Sequence, residues 1–192
     1  LRRMVDEFSA FARMPSATFR EENLVEIARQ AMFLAEVGAP GIQFTIAAAE
    51  DVPPLVCDRR QMGQAFTNII KNAIESIGEK SEKSEDEHVD IALFVEDGTV
   101  VVTVTDSGVG LPSQQRDRLF EPYVTTRQRG TGLGLAIVKR IVEDHQGQLD
   151  IADRPGRTGA VVAMRFAIDA NRRLLRPGSM SGQDMPDSEQ VS

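Results

Sequence analysis

Two glycine-bracketed turns and a pair of amides hold the chemistry available to this chain. Asp106-Ser107-Gly108-Val109-Gly110 follows the apolar run Val100 to Thr105, and Gly130-Thr131-Gly132-Leu133-Gly134 opens a segment with helical periodicity. Glycine adds no Cβ, so the backbone N–H groups of such turns can come close to phosphate oxygens. A helix starting there also offers the positive end of its dipole. That is the chemistry of a nucleotide site. An ionised Asp106 at the end of a strand only accepts hydrogen bonds. The adenine amine donates where guanine presents an acceptor, so an aspartate at the base of the pocket selects adenine. Gly108 and Gly110 let the chain turn back beneath a flat base. Alone, the second pattern is also that of an ordinary turn before a helix; paired with Asp-x-Gly-x-Gly it becomes specific.

A nucleotide polyphosphate calls for a cation, and Mg²⁺ takes oxygen ligands while keeping waters and phosphate oxygens in its shell. One protein ligand therefore suffices. The carbonyl oxygen of Asn72 fits that role, with Asn68 one helical turn away as a water-mediated partner. Asparagines on a helix are often plain surface residues; at the edge of an apolar stripe, in a chain with two glycine turns, they read as ligands. Arg127 and Arg129 either neutralise phosphate or belong to a solvated lid, and Thr125 and Thr126 add hydroxyl donors. The lid spans Leu111 to Arg129, and Phe120 and Tyr123 read as its anchors on the core.

These residues need elements to position them. Asp58 and Gln61 form a capping-box pattern before a helix reaching about Ile77, whose apolar residues from Met62 to Ile77 keep helical period. Asn68 and Asn72 fall on one flank of that stripe. Asn23 and Glu26 start an earlier helix with Leu24, Ile27, Ala28, Ala31, Leu34 and Ala35 inward, ended by Gly38. Ile42 to Ile46 alternates like a half-buried strand, and the short apolar run Leu55 to Cys57 could be a further strand. Val89 to Val95 and Val100 to Thr105 read as a hairpin across Glu96-Asp97-Gly98-Thr99. A helix over Leu133 to His145 follows, stopped by Gly147, then strands near Gln148 to Ala152 and Ala160 to Ile168. The expected fold is an α/β (α+β) two-layer sandwich: a mixed, largely antiparallel sheet of about five strands with three helices on one face.

Composition narrows the function. With 29 acidic against 22 basic residues and a net charge of −7, the chain is not a general nucleic-acid binder. The single cysteine, Cys57, lies in an apolar run and reads as a buried small hydrophobe. No apolar run approaches the roughly 20 residues that span a bilayer. The charge-rich run Glu79 to Glu87 reads as a solvated loop. Leu1, Met4, Val5, Phe8, Phe11 and Ala12 recur at helical spacing before Pro15, either packing on this domain or ending a helix of an upstream bundle. The abrupt start at Leu1 suggests a piece of something longer. Residues 171–192 lack periodicity and read as a disordered tail.

Four motifs in order carry a family resemblance. QAFTNIIKNAIESI, DSGVG, LFEPYVTTR and GTGLGL resemble the N, G1, F and G2 boxes of the ATP-binding domain of sensor histidine kinases, within the gyrase, Hsp90, histidine kinase and MutL superfamily. They cover about Asp58 to Ile168. DEFSAFARMP and the short TTR lid are most similar to nitrogen-regulation sensor kinases of the NtrY type. The resemblance implies a Bergerat-type ATP-binding fold, ATP and Mg²⁺ as ligands, and γ-phosphoryl transfer to a histidine on an upstream dimerisation helix. Relay to a response-regulator receiver aspartate would follow. Site residues carried over are Asn68, Asn72 (the metal ligand), Asp106, Gly108, Gly110, Thr126, Arg127, Gly130, Thr131, Gly132, Leu133 and Gly134.

The implied organisation is 1–14 as the end of the dimerisation helix, 15–170 as the catalytic domain and 171–192 as tail. The parent would be a homodimeric inner-membrane sensor with this part in the cytoplasm, without nucleic-acid or direct membrane contact. Where hydrolases of the superfamily carry a glutamate base, this chain has Asn68, which favours transfer over hydrolysis. Three departures stand out: Gly159-Ala160 replaces the usual Gly-Thr, Glu75-Ser76 replaces Lys-Tyr, and neither His88 nor His145 fits the phosphoacceptor pattern. An ATP-hydrolysing clamp and a nucleotide-sensing module without transfer are the rival expectations.

Overall fold

The computed structural model describes residues 15–82, 86–112, 118–124 and 131–175. Segment 1–14, residues 176–192 and, from the candidate site, Thr126, Arg127 and Gly130 lie outside the described residues, as do Thr125 and Arg129.

Alternating apolar residues build a five-stranded sheet in the order β2-β4-β5-β7-β6. Its members are β2 (Gln43–Ala48), β4 (His88–Glu96), β5 (Thr99–Asp106), β6 (Gln148–Asp153) and β7 (Ala160–Ala167). All neighbours pair antiparallel except β2 and β4, which run parallel. The expected hairpin forms, with Asp97 at φ 47° and Gly98 at φ 71° supplying the two positive-φ residues of a tight turn. Cross-strand register stacks Leu93, Val102 and Met164 in one row and Ile91, Val104 and Val162 in the next. The period of two puts these rows on the same face.

Three helices cover that face: α1 (Leu24–Gly38), α2 (Arg59–Gly78) and α3 (Gly134–Asp144). Ile27, Phe66, Ile69, Ile137 and Ile141 join the sheet rows in a single core. Both expected caps form: the Asn23 side chain accepts from Glu26 N at 3.2 Å, and Asp58 Oδ1 from Gln61 N at 2.9 Å. The reciprocal half of the second box is diverted, since Asp58 N donates to His145 Nε2 at 3.0 Å, while Gln61 Nε2 donates to the Pro15 carbonyl at 3.0 Å.

Several expectations need correction. A fourth, short helix α4 (Ile168–Arg172) and a 3₁₀ turn (Arg173–Leu175) follow β7, so the last strand stops before Ile168 and the described part of the expected tail is folded. The reason is Asn171, which is buried and brackets Val56: its Oδ1 accepts from Val56 N at 2.7 Å and its Nδ2 donates to Val56 O at 2.9 Å. The amide thereby serves as a strand neighbour for β3 (Leu55–Cys57), whose antiparallel partner is β1 (Arg20–Glu22). Leu34 is not inward: it is exposed, with Phe33 and Val37, on the outer side of α1. His88 begins β4 rather than lying in a loop. The left-handed residue after α3 is Gln146, one before the expected Gly147.

Among the described residues no helix is long and apolar enough to cross a membrane.

Candidate nucleotide site

One flank of α2 joins the two glycine turns. Near its C-terminal end, Ser76 lies under the first turn. A Cβ placed on Gly108 would stand 2.7 Å from both the Cβ and the carbonyl carbon of Ser76, nearer than real side chains approach. The Ser76 carbonyl also accepts from Val109 N at 3.3 Å. This close crossing explains the glycine at 108.

One turn back along the same helix, Asn72 lies against the second glycine turn. Its amide oxygen and nitrogen are each 3.5 Å from the place where a Gly134 side chain would begin. At a rise of 1.5 Å per residue, the two contacts are spaced about 6 Å apart along the helix. Asn68 extends the flank by another turn, and its Nδ2 is buried with no hydrogen-bond partner among the described residues. A buried amide donor without a partner costs about 1 to 3 kcal/mol, and a ligand oxygen would relieve that cost.

Asp106 closes β5 and is buried. Its Oδ1 accepts from Gly108 N at 2.8 Å and from Ala160 N at 3.4 Å. These bonds hold the carboxylate from two sides, one within its own turn and one from β7. The Ala160 contact bears on the departure at 159–160: the backbone amide of Ala160 reaches Asp106, and no side-chain hydroxyl is involved. Gly159, at φ 127°, packs on the Asp106 carbonyl. Nothing in the local pattern around Gly159 signalled this, because β5 and β7 meet only through the sheet.

At the second turn, Gly132 has φ 70° and its carbonyl accepts from Tyr123 N at 3.1 Å. A Cβ there would lie 2.6 to 2.8 Å from the backbone of Tyr123 and Val124, so the end of the 118–124 segment crosses directly over the turn. The N-terminus of α3 carries no side-chain cap among the described residues, and Leu133, just before it, is fully buried. Its first N–H groups are thus not answered by a capping side chain. Thr131 precedes this turn. Phe120 is half-buried and receives Lys139 Nζ over its ring at 5.9 Å, whereas Tyr123 is exposed and meets the turn through its backbone. An open hollow of about 410 Å³ is lined by Leu111, Leu119, Phe120 and Asp150 to Asp153, and none of Asn72, Asp106 or Gly132 lines it.

Both histidines have structural engagements. His145 is fully buried: its Nδ1 faces the Ile141 carbonyl at 2.6 Å, its Nε2 accepts from Asp58 N at 3.0 Å, and its ring meets Phe19 edge-on. These partners fix the neutral tautomer with the proton on Nδ1. Burial lowers its pKa below 6.5, against the opposing pull of the Ile141 carbonyl and nearby carboxylates. With both nitrogens used and no exposure, it cannot serve as a phosphoacceptor. His88 places Nδ1 2.6 Å from the Asp86 carbonyl and Nε2 3.6 Å from Asp90. Burial raises the Cys57 thiol to about 12, so it is a packed apolar group, as its sequence context suggests.

Residues 57–170 match the family model described as histidine kinase-, DNA gyrase B-, and HSP90-like ATPase. The chain belongs to this family. Within the histidine kinase, gyrase and Hsp90-like ATPases it is 43% identical over 166 residues to nitrogen regulation protein NtrY of Azorhizobium caulinodans, covering 84% of this chain and 21% of that protein. The chain thus spans about a fifth of that relative's length. Full-length ShkA in complex with AMPPNP superposes with a TM-score of 0.69 at 26% identity, covering 85% of this chain and 35% of that one. Histidine kinase ThkA in complex with response regulator protein TrrA gives 0.70 at 25% identity, covering 87% and 47%. The sandwich expected from the sequence is therefore the fold of histidine kinases, with one more short helix than expected.

Proposed function

We propose that this chain is the ATP-binding catalytic part of a sensor histidine kinase of the NtrY type. It would pass the γ-phosphoryl of ATP to a histidine on a dimerisation helix upstream, for relay to a receiver-domain aspartate. The observation that carries the reading is the flank of α2, where Ser76 packs under the Asp106 turn and Asn72 lies at the start of α3. A base held at Asp106 and phosphates held at the Gly132 turn would lie on either side of that flank.

The donor set fits the ligand. Gly108 and Gly132 let the two turns pack directly on Ser76 and on the Tyr123 backbone, where a Cβ would not fit, and Asn68 brings a buried amide donor with no partner among the described residues. Asn72 would hold Mg²⁺ through its carbonyl oxygen. Bound there, the ion would neutralise charge on the phosphate oxygens. Among the described residues no group of three His, Cys, Asp or Glu side chains could hold a metal alone, consistent with an ion whose other ligands are phosphate and water. Thr126, Arg127, Gly130 and Thr131 would contribute to phosphate binding.

Transfer breaks the bond between the γ-phosphorus and its bridging oxygen, leaving ADP, and forms a bond to an imidazole nitrogen that gives up its proton. Neither histidine of this chain is placed for that step, and Asn68 offers no carboxylate to activate water, so an external acceptor is favoured over hydrolysis. The parent would be a homodimer, with this part on the cytoplasmic side of the inner membrane. The reading is tested by incubating the chain with γ-labelled ATP and Mg²⁺, alone and with a parent fragment carrying the upstream helix. Label should appear on histidine only in the second case. Efficient histidine labelling of the isolated chain, or steady hydrolysis abolished by Asn68→Ala, would contradict it.

A further inference from the structure

The buried end of the charged run lies next to the adenine aspartate. Glu87 closes a run that composition marks as solvated, yet it is only 3% exposed, and Ser107, directly after Asp106, is 6% exposed. Ser107 Oγ donates to Glu87 Oε2 at 2.7 Å and accepts from His88 N at 3.0 Å. Glu87 Oε1 takes Lys80 Nζ at 2.8 Å, and Ser107 N donates to the His88 carbonyl at 3.1 Å. The start of β4 and the end of β5 are thus tied together at the Ser107 hydroxyl, and the residues after α2 join them through the Glu87 carboxylate. For stability alone an apolar contact would serve as well as a buried ion pair, because desolvation cancels much of the Coulomb gain. What the charged arrangement adds is direction: a hydroxyl held at both its proton and its lone pair fixes the chain on which the neighbouring carboxylate is mounted.

We propose that Glu87 and Ser107 are positioning residues for base recognition, holding the Asp106 carboxylate at the angle the adenine amine requires; this rests on the adenine reading of Asp106. Asp106 Oδ1 already takes two backbone N–H groups, so little freedom remains for it to re-aim if its own backbone moves. Loosening Ser107 would therefore weaken the amine contact while leaving phosphate and ribose contacts intact.

The test compares binding of ADP with that of purine riboside diphosphate, which lacks the amine, by calorimetry on the whole 192-residue chain with Mg²⁺. Wild type should prefer ADP. Ser107→Ala and Glu87→Ala should each lower that preference at least fivefold, with affinity for the amine-free nucleotide changed less than twofold. The double variant should go no more than twofold further. Glu87→Gln, whose amide oxygen still accepts from Ser107, should keep the preference within twofold of wild type. A destabilised fold would weaken both nucleotides alike, so the ratio separates positioning from general support. If Glu87→Ala does not fold, Ser107→Ala and Glu87→Gln decide the matter. An unchanged ratio in Ser107→Ala overturns the proposal while leaving Asp106 as the base contact. Equal binding of the two nucleotides by wild type, or no loss in Asp106→Asn, overturns the adenine reading and this proposal together.

Discussion

Gly108→Ala puts the crossing of the first turn over α2 to a direct trial. The added methyl would stand 2.7 Å from two carbons of Ser76, whereas carbon pairs settle near 3.5 Å or beyond, so a shift of about 0.8 Å is required. One of the two carbons belongs to the helix backbone, where α2 is packed along its length, so the turn must yield. Overpacking of this kind costs about 1 to 3 kcal/mol. Taken from the binding geometry, that weakens ADP by roughly 5- to 150-fold, since 1.4 kcal/mol is a factor of ten. Ser76→Gly should not rescue it, because the carbonyl carbon remains. Gly78→Ala is the control: a Cβ there meets nothing within 4 Å, so affinity should hold and the helix should gain slightly if at all. The assay is titration calorimetry with ADP beside thermal unfolding. A Gly108→Ala chain that matches wild type in both would refute the close crossing, and with it the way α2 couples the two turns.

Other expectations concern the scaffold beneath the site. His145→Ala removes a fully buried ring and leaves the Asp58 N–H without its acceptor, so unfolding in urea should show a loss of about 3 to 5 kcal/mol. Because burial lowers the His145 pKa, the unfolded chain binds more protons below 6.5. Its contribution is full above that value and is lost as pH falls through the folded pKa; denaturation from pH 7.5 to 5.5 should show the decline in wild type and a shallower one in His145→Ala. Asn171→Ala leaves both polar groups of Val56 unpaired on that side and should cost about 2 to 4 kcal/mol in the same assay, with ADP affinity nearly unchanged once folded.

Periodicity made α2, the β4–β5 hairpin and both helix caps legible, because each is a local pattern read over a few residues. Asn72 was legible for the same reason: helical geometry alone puts it on a flank of the apolar stripe. Long-range polar contacts were not. Asn171 and Val56 are 115 positions apart, and a lone asparagine after a strand carries no mark of burial. Glu87 sits among like-charged residues in a run whose composition indicates solvent, yet its neighbour in space is Ser107. Leu34 failed in the opposite direction, as a leucine at helical spacing that faces outward beyond the edge of the core stripe. Of the two-stranded β1–β3 ladder, the Leu55 to Cys57 strand was legible and its partner was not, because Arg20 to Glu22 has no apolar alternation.

If Asp106 reads adenine in a pocket completed from α2, calorimetric titration of ADP with Mg²⁺ should separate the wild-type chain from Asp106→Asn. A hydrogen bond to a charged group contributes about 1.5 to 3 kcal/mol, so the variant should bind at least tenfold more weakly with its melting transition still cooperative. Equal affinity in the two chains would mean that Asp106 does not read the base.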